Sequence, residues 1–468
     1  MAAIALTSSF QGTEDKLSMY RRKAHDEIDK FIDEIAPVLM NENPLTLKEI
    51  SDAFQEKRGE LLGGLLRDFV EIHHQEILEQ ENCDCPNCKK TIRKKRNATR
   101  RVETCQGSSL FNRPYHYCPD CGIGFSPFDN TLELSSRKKQ YDLQQQALEL
   151  LADVPFERAA ELFQKLTGIS FSDSRLHDLF ETFSSNVSLE DVIPSSEEIE
   201  ERINRAKTGK RRPILVVATD GAHAPTRPKA GRAEKRGKGE YKESKGFRLY
   251  VLSGDKLIDI ANWHQIQDAG QCAEALKFVA SRIPTDKVRI ALLGDGAHWL
   301  WTAMKEAFPT GREILDYYHC SEHIHEIAKA QYGDNPYKML QWVESTMSRL
   351  FYGEVGQVIG GLRRMDPRND DAKDQIRQQI VYLTNNKHRI HYNGDRKGQY
   401  PIGSGGIESA NKFICHTRIK RSGAWWVKIN GNSMLKLRCA IVNGTFETSF
   451  KKYITRDQAK KLLWRTKS

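Results

Sequence analysis

The sequence contains no apolar run long enough to cross a membrane, which excludes the class of membrane-spanning helical proteins. Such a span needs roughly 20 apolar residues in succession, and no stretch of this 468-residue chain approaches that length. The short apolar stretch at the N-terminus has no basic segment before it, so we expect no secretory signal. Repeats at the periods of solenoid proteins are also absent. We therefore expect a cytoplasmic protein with reduced thiols and no membrane partner.

Positive charge is what the chain has in excess. Lysine and arginine number 72 against 62 acidic residues, which gives a net charge of +10 and a pI near 9.0. An excess of this sign favours a polyanionic partner, and nucleic acid is the candidate once a membrane surface is set aside. At roughly 150 residues per domain, the length predicts about three domains.

The cysteines are clustered, and the cluster indicates a metal site. Four of the ten form two C-x₂-C pairs with 29 residues between them: Cys85, Cys88, Cys118 and Cys121. Four thiolates at this spacing suit one tetrahedral structural Zn²⁺, as in zinc ribbons. Cys83 could replace one partner in the first pair. Four cysteines that stand alone in apolar contexts are predicted to be core: Cys272, Cys320, Cys415 and Cys439.

The segment between the two cysteine pairs is strongly basic. Residues 89–101 hold eight Lys or Arg. They fit either a solvated loop or the tip of a ribbon that contacts phosphates. On the second interpretation, the candidate DNA contacts are Lys94, Lys95 and Arg96.

Helical spacing dominates the chain on both sides of this segment. Residues 14–40 and 46–80 predict two long helices, a packing or dimerising unit. Three further helices are predicted at 139–152, 156–167 and 173–185. A helix, a glycine turn, a serine cap and a second helix are typical of a helix-turn-helix, with Arg175 and His177 early on its recognition helix. An ordinary helical hairpin is the alternative. Residues 188–212 are charged and predict a linker.

Three carboxylates stand at the ends or starts of predicted elements. Asp220 follows the apolar run 213–218, Asp295 ends the run 288–293, and Glu408 lies just inside a helix that opens at the glycines of 403–406. Carboxylates after buried strands lie where open α/β sheets place their sites. Three such groups at one point repel unless cations neutralise them, and Asp and Glu oxygens suit Mg²⁺ or Mn²⁺. Enzymes that cleave phosphodiesters use two such ions.

Each carboxylate also has a plain structural interpretation. Asp-Gly is a common turn pair, and a Glu in the first turn of a helix is favoured by the helix dipole. Glu354, Glu326 and Glu322 are alternative third carboxylates.

The order of predicted elements from residue 213 is informative. Three strands come first, at 213–219, 247–254 and 257–264. Helices and strands then alternate: helix 267–283, strand 288–294, helix 297–307, strand 313–318 and helix 321–331. This is the order of the ribonuclease H-like fold. The long interval before Glu408 is predicted to be a helical insertion, because Pro336–Met365 and Asp370–His388 show helical apolar spacing.

Short phrases around these residues resemble the catalytic blocks of DDE transposases of bacterial insertion sequences, in the Mutator-like superfamily. The phrases are Thr219-Asp220-Gly221, Gly294-Asp295-Gly296-Ala297-His298-Trp299, Asp316-Tyr317-Tyr318-His319, Gly403-Ser404-Gly405-Gly406-Ile407-Glu408 and Arg418-Ile419-Lys420-Arg421-Ser422-Gly423-Ala424-Trp425-Trp426. The Kra-type insertion sequences, which carry an N-terminal cysteine-rich segment, are the most similar subgroup. The resemblance spans roughly residues 83 to 445.

The resemblance implies a fold and its boundaries. The fold class is an α/β catalytic core, a ribonuclease H-like mixed sheet flanked by helices with an all-α insertion, plus N-terminal α-helical, zinc-ribbon and helix-turn-helix modules. The expected domains are a helical domain 1–82, a zinc ribbon 83–136, a helix-turn-helix region with linker 137–208, the first part of the core 209–332, the insertion 333–398, and the second part of the core with a tail 399–468.

The resemblance also implies an activity. Two Mg²⁺ or Mn²⁺ ions would be held by Asp220, Asp295 and Glu408, with Asp316 and His319 supporting the site. The substrate would be double-stranded DNA, both transposon ends and target, cut and then joined. A homodimer or larger assembly is expected on DNA, because two ends must be brought together.

Further DNA contacts are expected around the carboxylates. The segment Arg227–Arg248 holds nine Lys or Arg and predicts a basic, solvated loop between the first two strands. Basic residues with aromatics beside an active site also suit a distorted or flipped DNA end. The candidates are Arg232, Lys235, Arg236, His298, Arg418, Lys420, Arg421 and Trp425. For the tryptophan pair, and equally for His298, core packing is the alternative.

Two other functions remain open from the sequence. One is a structure-specific nuclease of the same fold, which cuts DNA without joining it. The other is a non-catalytic DNA-binding regulator derived from a transposase.

Overall fold

A computed structural model describes residues 2–40, 43–207, 209–228, 238–253, 256–403 and 405–464. The chain divides into two compact units: Met1–Asn186 with Phe450–Ser468, and Val187–Ser449. Both are mixtures of α-helix and β-strand, as the predicted class requires. Among the helices of these described residues, none is long and apolar enough to cross a membrane.

Two long helices open the first unit and pack against each other. The helices are α1 (Ala2–Leu39), α2 (Leu47–His73) and the short α3 (Gln75–Leu78). A capping box starts α2, because the Thr46 hydroxyl accepts the Glu49 N–H while the Glu49 carboxylate accepts the Thr46 N–H. The ring centroids of Tyr20 and Phe69 lie 4.7 Å apart. The sequence predicted one helix over 46–80, but α2 ends at His73 and a separate short helix, α3, follows.

A four-stranded antiparallel sheet follows. Its strands, in spatial order, are β1 (Asn82–Asp84), β2 (Thr91–Thr104), β3 (Gly107–Cys118) and β4 (Ile123–Phe125). The β2–β3 ladder continues to the pair Thr104↔Gly107, so the tip of the hairpin is the turn at Cys105 and Gln106. The expectation that residues 89–101 form a ribbon tip is wrong, because most of that basic segment lies along β2.

Helices complete the first unit. They are α4 (Pro127–Thr131), α5 (Tyr141–Asp153), α6 (Phe156–Thr167) and α7 (Asp173–Ser185). The last three match the predicted trio within two residues. Gly168 ends α6 in the left-handed conformation, with φ of 76°, which is the conformation that glycine adopts without steric cost.

The second unit starts where the sequence predicted a linker, and that prediction is wrong. Residues 188–212 contain α8 (Leu189–Val192) and α9 (Ser196–Arg205). One face of α9 is apolar and buried, and Arg202 donates to the carbonyl of Asn443 at 2.6 Å. The buried face repeats only once in the helix, at Ile199 and Ile203, which is too short a pattern to stand out among charges.

A five-stranded sheet forms the centre of the second unit. Its strands are β5 (Ile214–Thr226), β6 (Glu240–Ser253), β7 (Lys256–Ile266), β8 (Arg289–Gly294) and β9 (Arg312–Leu315). The spatial order is β7-β6-β5-β8-β9. The pairs β7–β6 and β6–β5 are antiparallel, whereas β5–β8 and β8–β9 are parallel. Helices α10 (Ala269–Ala280) and α11 (His298–Ala307) connect these strands.

The hairpin of β5 and β6 is longer than the apolar runs predicted. Its ladder continues from Asp220↔Gly246 to Thr226↔Glu240, so polar residues on both strands are paired backbone rather than loop. The predicted solvated loop Arg227–Arg248 is thereby shortened. Its candidates Arg232, Lys235 and Arg236 lie outside the described residues.

Helices fill the interval between β9 and Glu408, as predicted. They are α12 (Tyr317–Tyr332), α13 (Pro336–Phe351), α14 (Val355–Arg364), α15 (Asp370–Asn386) and α16 (Tyr392–Lys397). The predicted helix 336–365 is broken at Gly353, whose φ is 86°. The predicted strand 313–318 stops at Leu315, because Asp316 caps α12.

The chain then returns to the sheet and ends in helices. These are α17 (Gly405–Ala410), a π-helical turn (Asn411–His416), α18 (Lys428–Val442) and α19 (Phe446–Trp464). The part of α19 from Phe450 onward belongs to the first unit. There Tyr453 donates to Gln144 at 3.0 Å, and Tyr141 donates to Asp457 at 2.7 Å.

The contact of α2 with β3 depends on a glycine. A Cβ at Gly63 would lie 2.6 Å from the carbonyl oxygen of Ser108, and the Gly63 carbonyl accepts the Ser109 hydroxyl at 2.7 Å. One turn earlier, a Cβ at Gly59 would meet nothing closer than the Gly107 Cα at 3.9 Å.

We expect Gly63→Ala to destabilise the protein by about 1–3 kcal/mol, since backbone must move to relieve overpacking. Gly59→Ala is the matched control, because it adds the same methyl group to the same helix without a clash. It should stabilise by about 0.4–1 kcal/mol through the unfolded state. Urea unfolding monitored by circular dichroism measures both. Shifts of the same sign and size would contradict the proposed packing of α2 on β3.

Candidate active site and cysteine cluster

The parallel pairing of β5 with β8 places two of the candidate carboxylates side by side. The ladder ends at Ala218↔Leu293, and Asp220 and Asp295 each follow two residues later. Asp220 is not at the end of its strand, as the sequence suggested, because β5 continues in the hairpin with β6. It lies instead where β5 leaves its parallel neighbour.

Asp220 is largely buried, and both of its carboxylate oxygens accept hydrogen bonds from the protein. Oδ1 accepts the Gly221 N–H at 2.7 Å, and Oδ2 accepts the Asn411 side-chain amide at 2.6 Å. Burial is the main reason that the pKa of Asp220 is raised to about 6. The charges of Asp295 and Glu408 also raise this pKa, whereas the two hydrogen bonds lower it. The three predicted carboxylates are thus close enough for their charges to interact.

Asp295 is held by a tight turn. Its Oδ1 accepts the Ala297 N–H at 2.9 Å, and its carbonyl oxygen accepts the Tyr382 hydroxyl at 3.0 Å. Gly296 has a φ of 109°, which an L-residue with a side chain rarely adopts. The helical insertion therefore contributes directly to the site, through Tyr382 on α15.

Glu408 is exposed on α17, and this helix is anchored to the sheet by a buried arginine. Arg248 pairs with both oxygens of Asp259, at 2.7 and 2.9 Å, and also donates to the Gly406 carbonyl at 2.5 Å. A Cβ at Gly406 would lie 2.6 Å from the Tyr250 ring, so the glycine lets the helix start against β6.

The alternative third carboxylates have other surroundings. The carboxylate of Glu322 lies 3.4 Å from His319 Nδ1, and that of Glu326 lies 3.5 Å from His323 Nδ1. Glu354 precedes α14 at the cap position. Glu408 is the member of this set whose charge raises the pKa of Asp220.

Asp316 and His319 lie at the start of α12. The Asp316 side chain is 1 % exposed and accepts the His319 N–H at 2.6 Å, which makes it the N-cap of the helix. The rings of His319 and His323 are 4.9 Å apart, and His323 is 4.1 Å from the Tyr382 ring. Burial and the neighbouring His319 lower the pKa of His323. A catalytic role for Asp316 or His319 stays a prediction.

Two residues that the sequence analysis did not select support Asp220, Asn411 directly and His264 through Asn411. Asn411 touches Asp220, and its Oδ1 lies 2.9 Å from His264 Nε2. His264 is fully buried, and burial lowers its pKa to about 4. The position of Asn411, one helical turn after Glu408, was a signal available in the sequence. His264 gave none, because it lies within an otherwise ordinary strand.

The predicted DNA-contacting residues of this unit differ in exposure. His298, Lys420 and Arg421 are exposed, and His298 lines a cavity of about 560 Å³ beside the Asp295 turn. Arg418 is 3 % exposed, with its guanidinium carbon 5.4 Å from the Trp426 ring centroid. The expectation that Arg418 contacts DNA is therefore corrected, since a buried guanidinium does not reach a phosphate.

Trp425 is on the surface rather than in the core. It is 41 % exposed, and its ring centroid is 5.6 Å from that of Tyr241, which is 64 % exposed. The adjacent Trp426 forms a backbone bridge to Thr226 at the end of β5. The aromatic pair is thus fixed to the far part of the β5–β6 hairpin.

The four predicted metal-ligating cysteines come together in the first unit. All four sulfur atoms lie within 4.8 Å of one another, with Cys85–Cys121 at 4.0 Å and Cys88–Cys118 at 3.6 Å. Sulfurs bound to one tetrahedral zinc by bonds of about 2.3 Å lie about 3.8 Å apart. These four residues could therefore hold a metal ion such as zinc. The single cysteines Cys272, Cys320, Cys415 and Cys439 are buried, as predicted.

The basic side chains of the small sheet are not equivalent. Lys94 is half-buried and forms an ion pair with Glu81. The sequence analysis counted Lys94 as a DNA contact, and this ion pair corrects that expectation, because the charge of Lys94 is already engaged. Lys95 and Arg96 are exposed and lie over the rings of Tyr117 and Tyr115, at 4.8 and 5.6 Å. In the same unit, Arg175 is exposed in the first turn of α7.

These features define a mixed α/β protein with a cluster of four cysteines in one unit and candidate carboxylates on the two central strands of the large sheet in the other. The chain belongs to the uncharacterised protein family UPF0236, whose sequence profile matches residues 40–452. No curated protein matches the chain. Among solved structures, a chain of the Drosophila P element transposase strand transfer complex is similar, at 10% identity. That match covers 66% of this chain and 80% of that chain with a TM-score of 0.25, which supports no conclusion about fold or function.

We expect protein purified without chelator to contain about one zinc per chain, by the four-thiolate geometry. Cys118→Ser should lose the metal and unfold the small sheet, because a structural zinc supplies folding free energy directly. Cys105→Ser, in the same sheet at the β2–β3 turn, is the control and should retain both. Elemental analysis and limited proteolysis measure the two effects, and a well-folded wild-type protein without zinc would refute the site.

Proposed function

We propose that this protein is a DDE transposase of an insertion sequence, which cuts and joins DNA with divalent cations. The observation that carries the proposal is the parallel register of β5 and β8, which brings Asp220 and Asp295 onto neighbouring strands, with Glu408 near enough for its charge to raise the pKa of Asp220. The charges of Asp295 and Glu408 raise the pKa of Asp220, and a cation bound beside these carboxylates would relieve the repulsion. Their oxygen donors suit Mg²⁺ or Mn²⁺.

The topology of the large sheet supports the same proposal. The order β7-β6-β5-β8-β9, with two antiparallel pairs and then two parallel ones, is the order expected of a ribonuclease H-like core. In the family that the sequence resembles, the first two acidic residues lie on the first and fourth strands. Asp220 lies on β5, the first strand of the large sheet, and Asp295 follows β8, the fourth, which supports the proposal. The finer assignment to the Mutator-like or Kra-type elements rests on the sequence phrases alone.

Asp220, Asp295 and Glu408 would hold the cations. When bound, two divalent ions activate a water or a 3′-hydroxyl and stabilise the attacking and leaving oxygens at phosphorus. The chain's own contribution is to hold the carboxylates in place. Gly221 and Asn411 orient Asp220, Tyr382 holds the Asp295 turn, and Arg248 fixes the start of the Glu408 helix.

Surface chemistry supports DNA as the substrate. On the large unit, the exposed pair Trp425 and Tyr241 offers ring faces on which an unpaired base can stack. On the first unit, Lys95 and Arg96 are placed to neutralise phosphates, and Arg175 occupies the position of a base contact if α6 and α7 act as a helix-turn-helix. Each is a separate surface with its own proposed role.

A structure-specific nuclease with the same site is the second candidate. It would share the carboxylates and the cations, but it would not join ends. A strand-transfer assay separates the two, with the DNA that flanks the gene as donor. Inverted repeats in that flanking DNA favour the transposase. A non-catalytic regulator would bind the same DNA without cutting it.

We expect Asp220→Asn, Asp295→Asn and Glu408→Gln each to reduce cleavage and joining by at least about 10²-fold, the loss typical of removing one charge-stabilising group. Binding to the element ends should change little, because each variant keeps the shape of the side chain. Gel shifts and cleavage of labelled ends in Mg²⁺ measure the two effects.

Glu322→Gln is the matched control for the third carboxylate, since it removes an exposed charge beside His319. It should leave cleavage near the wild-type level. If Glu322→Gln abolished cleavage while Glu408→Gln retained it, the third ligand would be misassigned.

We expect Lys95→Gln combined with Arg96→Gln to weaken DNA binding for all sequences. The slope of log affinity against log salt should fall by about 0.9 for each phosphate that the variant no longer neutralises. Lys94→Gln is the control, because its charge is already engaged by Glu81. Fluorescence anisotropy over a salt series measures the slopes, and equal slopes for the control and the double variant would count against the interface.

A further inference from the structure

Asp220 belongs to a row of three positions across three strands. It pairs with Gly246 on β6, and Gly246 pairs in turn with His264 on β7. Residues in register across a sheet share a face, and two strand spacings separate the outer members by about 10 Å. Asp220 and His264 therefore lie on the same face but cannot touch each other.

The glycine in the middle of the row makes room for a bridge. A Cβ at Gly246 would lie 2.4 Å from the imidazole carbons of His264, so the ring occupies space that any other residue would fill. Asn411 spans the gap from above. Its amide joins Asp220 Oδ2 at 2.6 Å and His264 Nε2 at 2.9 Å, and Asn411 is 6 % exposed.

The hydrogen-bond directions along this bridge are fixed by chemistry. An ionised carboxylate only accepts, so Asn411 must present its NH₂ group to Asp220. Its Oδ1 then faces the ring, and His264 must donate from a protonated Nε2. Burial lowers the pKa of His264 to about 4, so at neutral pH the ring is uncharged and carries this single proton. Since the Gly221 N–H occupies the other oxygen, both oxygens of Asp220 are held.

The neutrality of the bridge matters for a cation site. A carboxylate in place of Asn411 would add a fourth negative charge to the group, and a lysine would compete with the cation. An amide orients Asp220 without adding a negative charge and without competing with the cation. Asn411 also begins the π-helical turn that follows α17, so the segment that carries Glu408 also orients Asp220.

From this geometry we infer that Asn411 and His264 are positioning residues that preset the Asp220 carboxylate for a divalent cation. The inference rests on the proposed function, because it assigns them to the same carboxylate site. Both side chains are buried, so neither is placed to contact DNA. Asn411 acts through Asp220, and His264 acts through Asn411.

The test is Mn²⁺ binding by the full-length protein, measured by the electron paramagnetic resonance signal of free Mn²⁺. The site of interest is the one that Asp220→Asn removes. Asn411→Ala should weaken Mn²⁺ binding at that site by about 10- to 100-fold, the range typical for partners that orient metal ligands. Circular dichroism checks that each variant is folded.

Substitutions at His264 give a second, independent comparison. His264→Gln keeps an N–H donor near the position of Nε2 and should retain affinity near that of wild type. His264→Phe keeps the ring shape without the donor and should weaken binding. This pair decides the question if Asn411→Ala does not fold, because His264 lies farther from the carboxylates.

Asn432→Ala is the matched control. The Asn432 side chain accepts the Ile266 N–H at 2.7 Å and donates to its carbonyl at 3.3 Å, so it supports the end of β7. Its loss should lower the unfolding temperature and leave Mn²⁺ affinity unchanged.

The outcomes separate the inference from the proposed function. If wild-type protein binds no Mn²⁺ that Asp220→Asn removes, the cation site itself is absent and the proposed function fails with it. If wild type binds but folded Asn411→Ala binds equally tightly, or His264→Phe matches His264→Gln, the positioning role alone is overturned.

Discussion

The parallel contact between β5 and β8 is the constraint on which the candidate site depends. It joins two apolar strand segments in the middle of the large sheet, so their register is set by burial on both faces. A slip of one residue would turn every side chain of one strand to the opposite face. Because the register is fixed, Asp220 and Asp295, each two residues beyond the last pair of this ladder, lie on neighbouring strands at the same level.

Bringing like charges together has a cost that the surrounding structure must meet. Asp220 is largely buried and feels the charges of Asp295 and Glu408, so holding it ionised costs on the order of a few kcal/mol. The three groups are supported from different parts of the chain: an amide from the segment after α17, a tyrosine from the insertion, and an arginine from β6. The candidate site is therefore a place where the fold accepts a cost in stability, as functional sites do.

Patterns with a strong physical period were readable from the sequence. The buried runs of β5 and β8, the paired cysteines and the helices α5 to α7 follow from apolar spacing or ligand spacing alone. The extension of the β5–β6 hairpin beyond Asp220 did not, because its β6 half is polar and its β5 half has small residues and a proline instead of an apolar run. The sequence predicted Arg418 to be a surface cation, whereas in the structure its guanidinium is buried over the Trp426 ring.

The bridge from His264 to Asn411 was also beyond the sequence. His264 and Asn411 are far apart in the chain, and although Asn411 follows Glu408 by one helical turn, nothing in the sequence links it to His264. Their relation exists only because Gly246 leaves a gap between two strands. Register and the absence of one side chain, rather than any motif, create it.

The last helix has a consequence for how the protein is made. The core of the first unit includes Phe450 and Tyr453, whose rings pack near Phe183 at centroid distances of 6.2 and 5.7 Å. A ribosome releases those residues only after the whole second unit, Val187–Ser449, has been synthesised. Until then the apolar face around Phe183 has no native cover, although its own helices are complete. The first unit therefore completes its core only after the second unit has been made, and chains that stop earlier expose this apolar surface to chaperones and proteases.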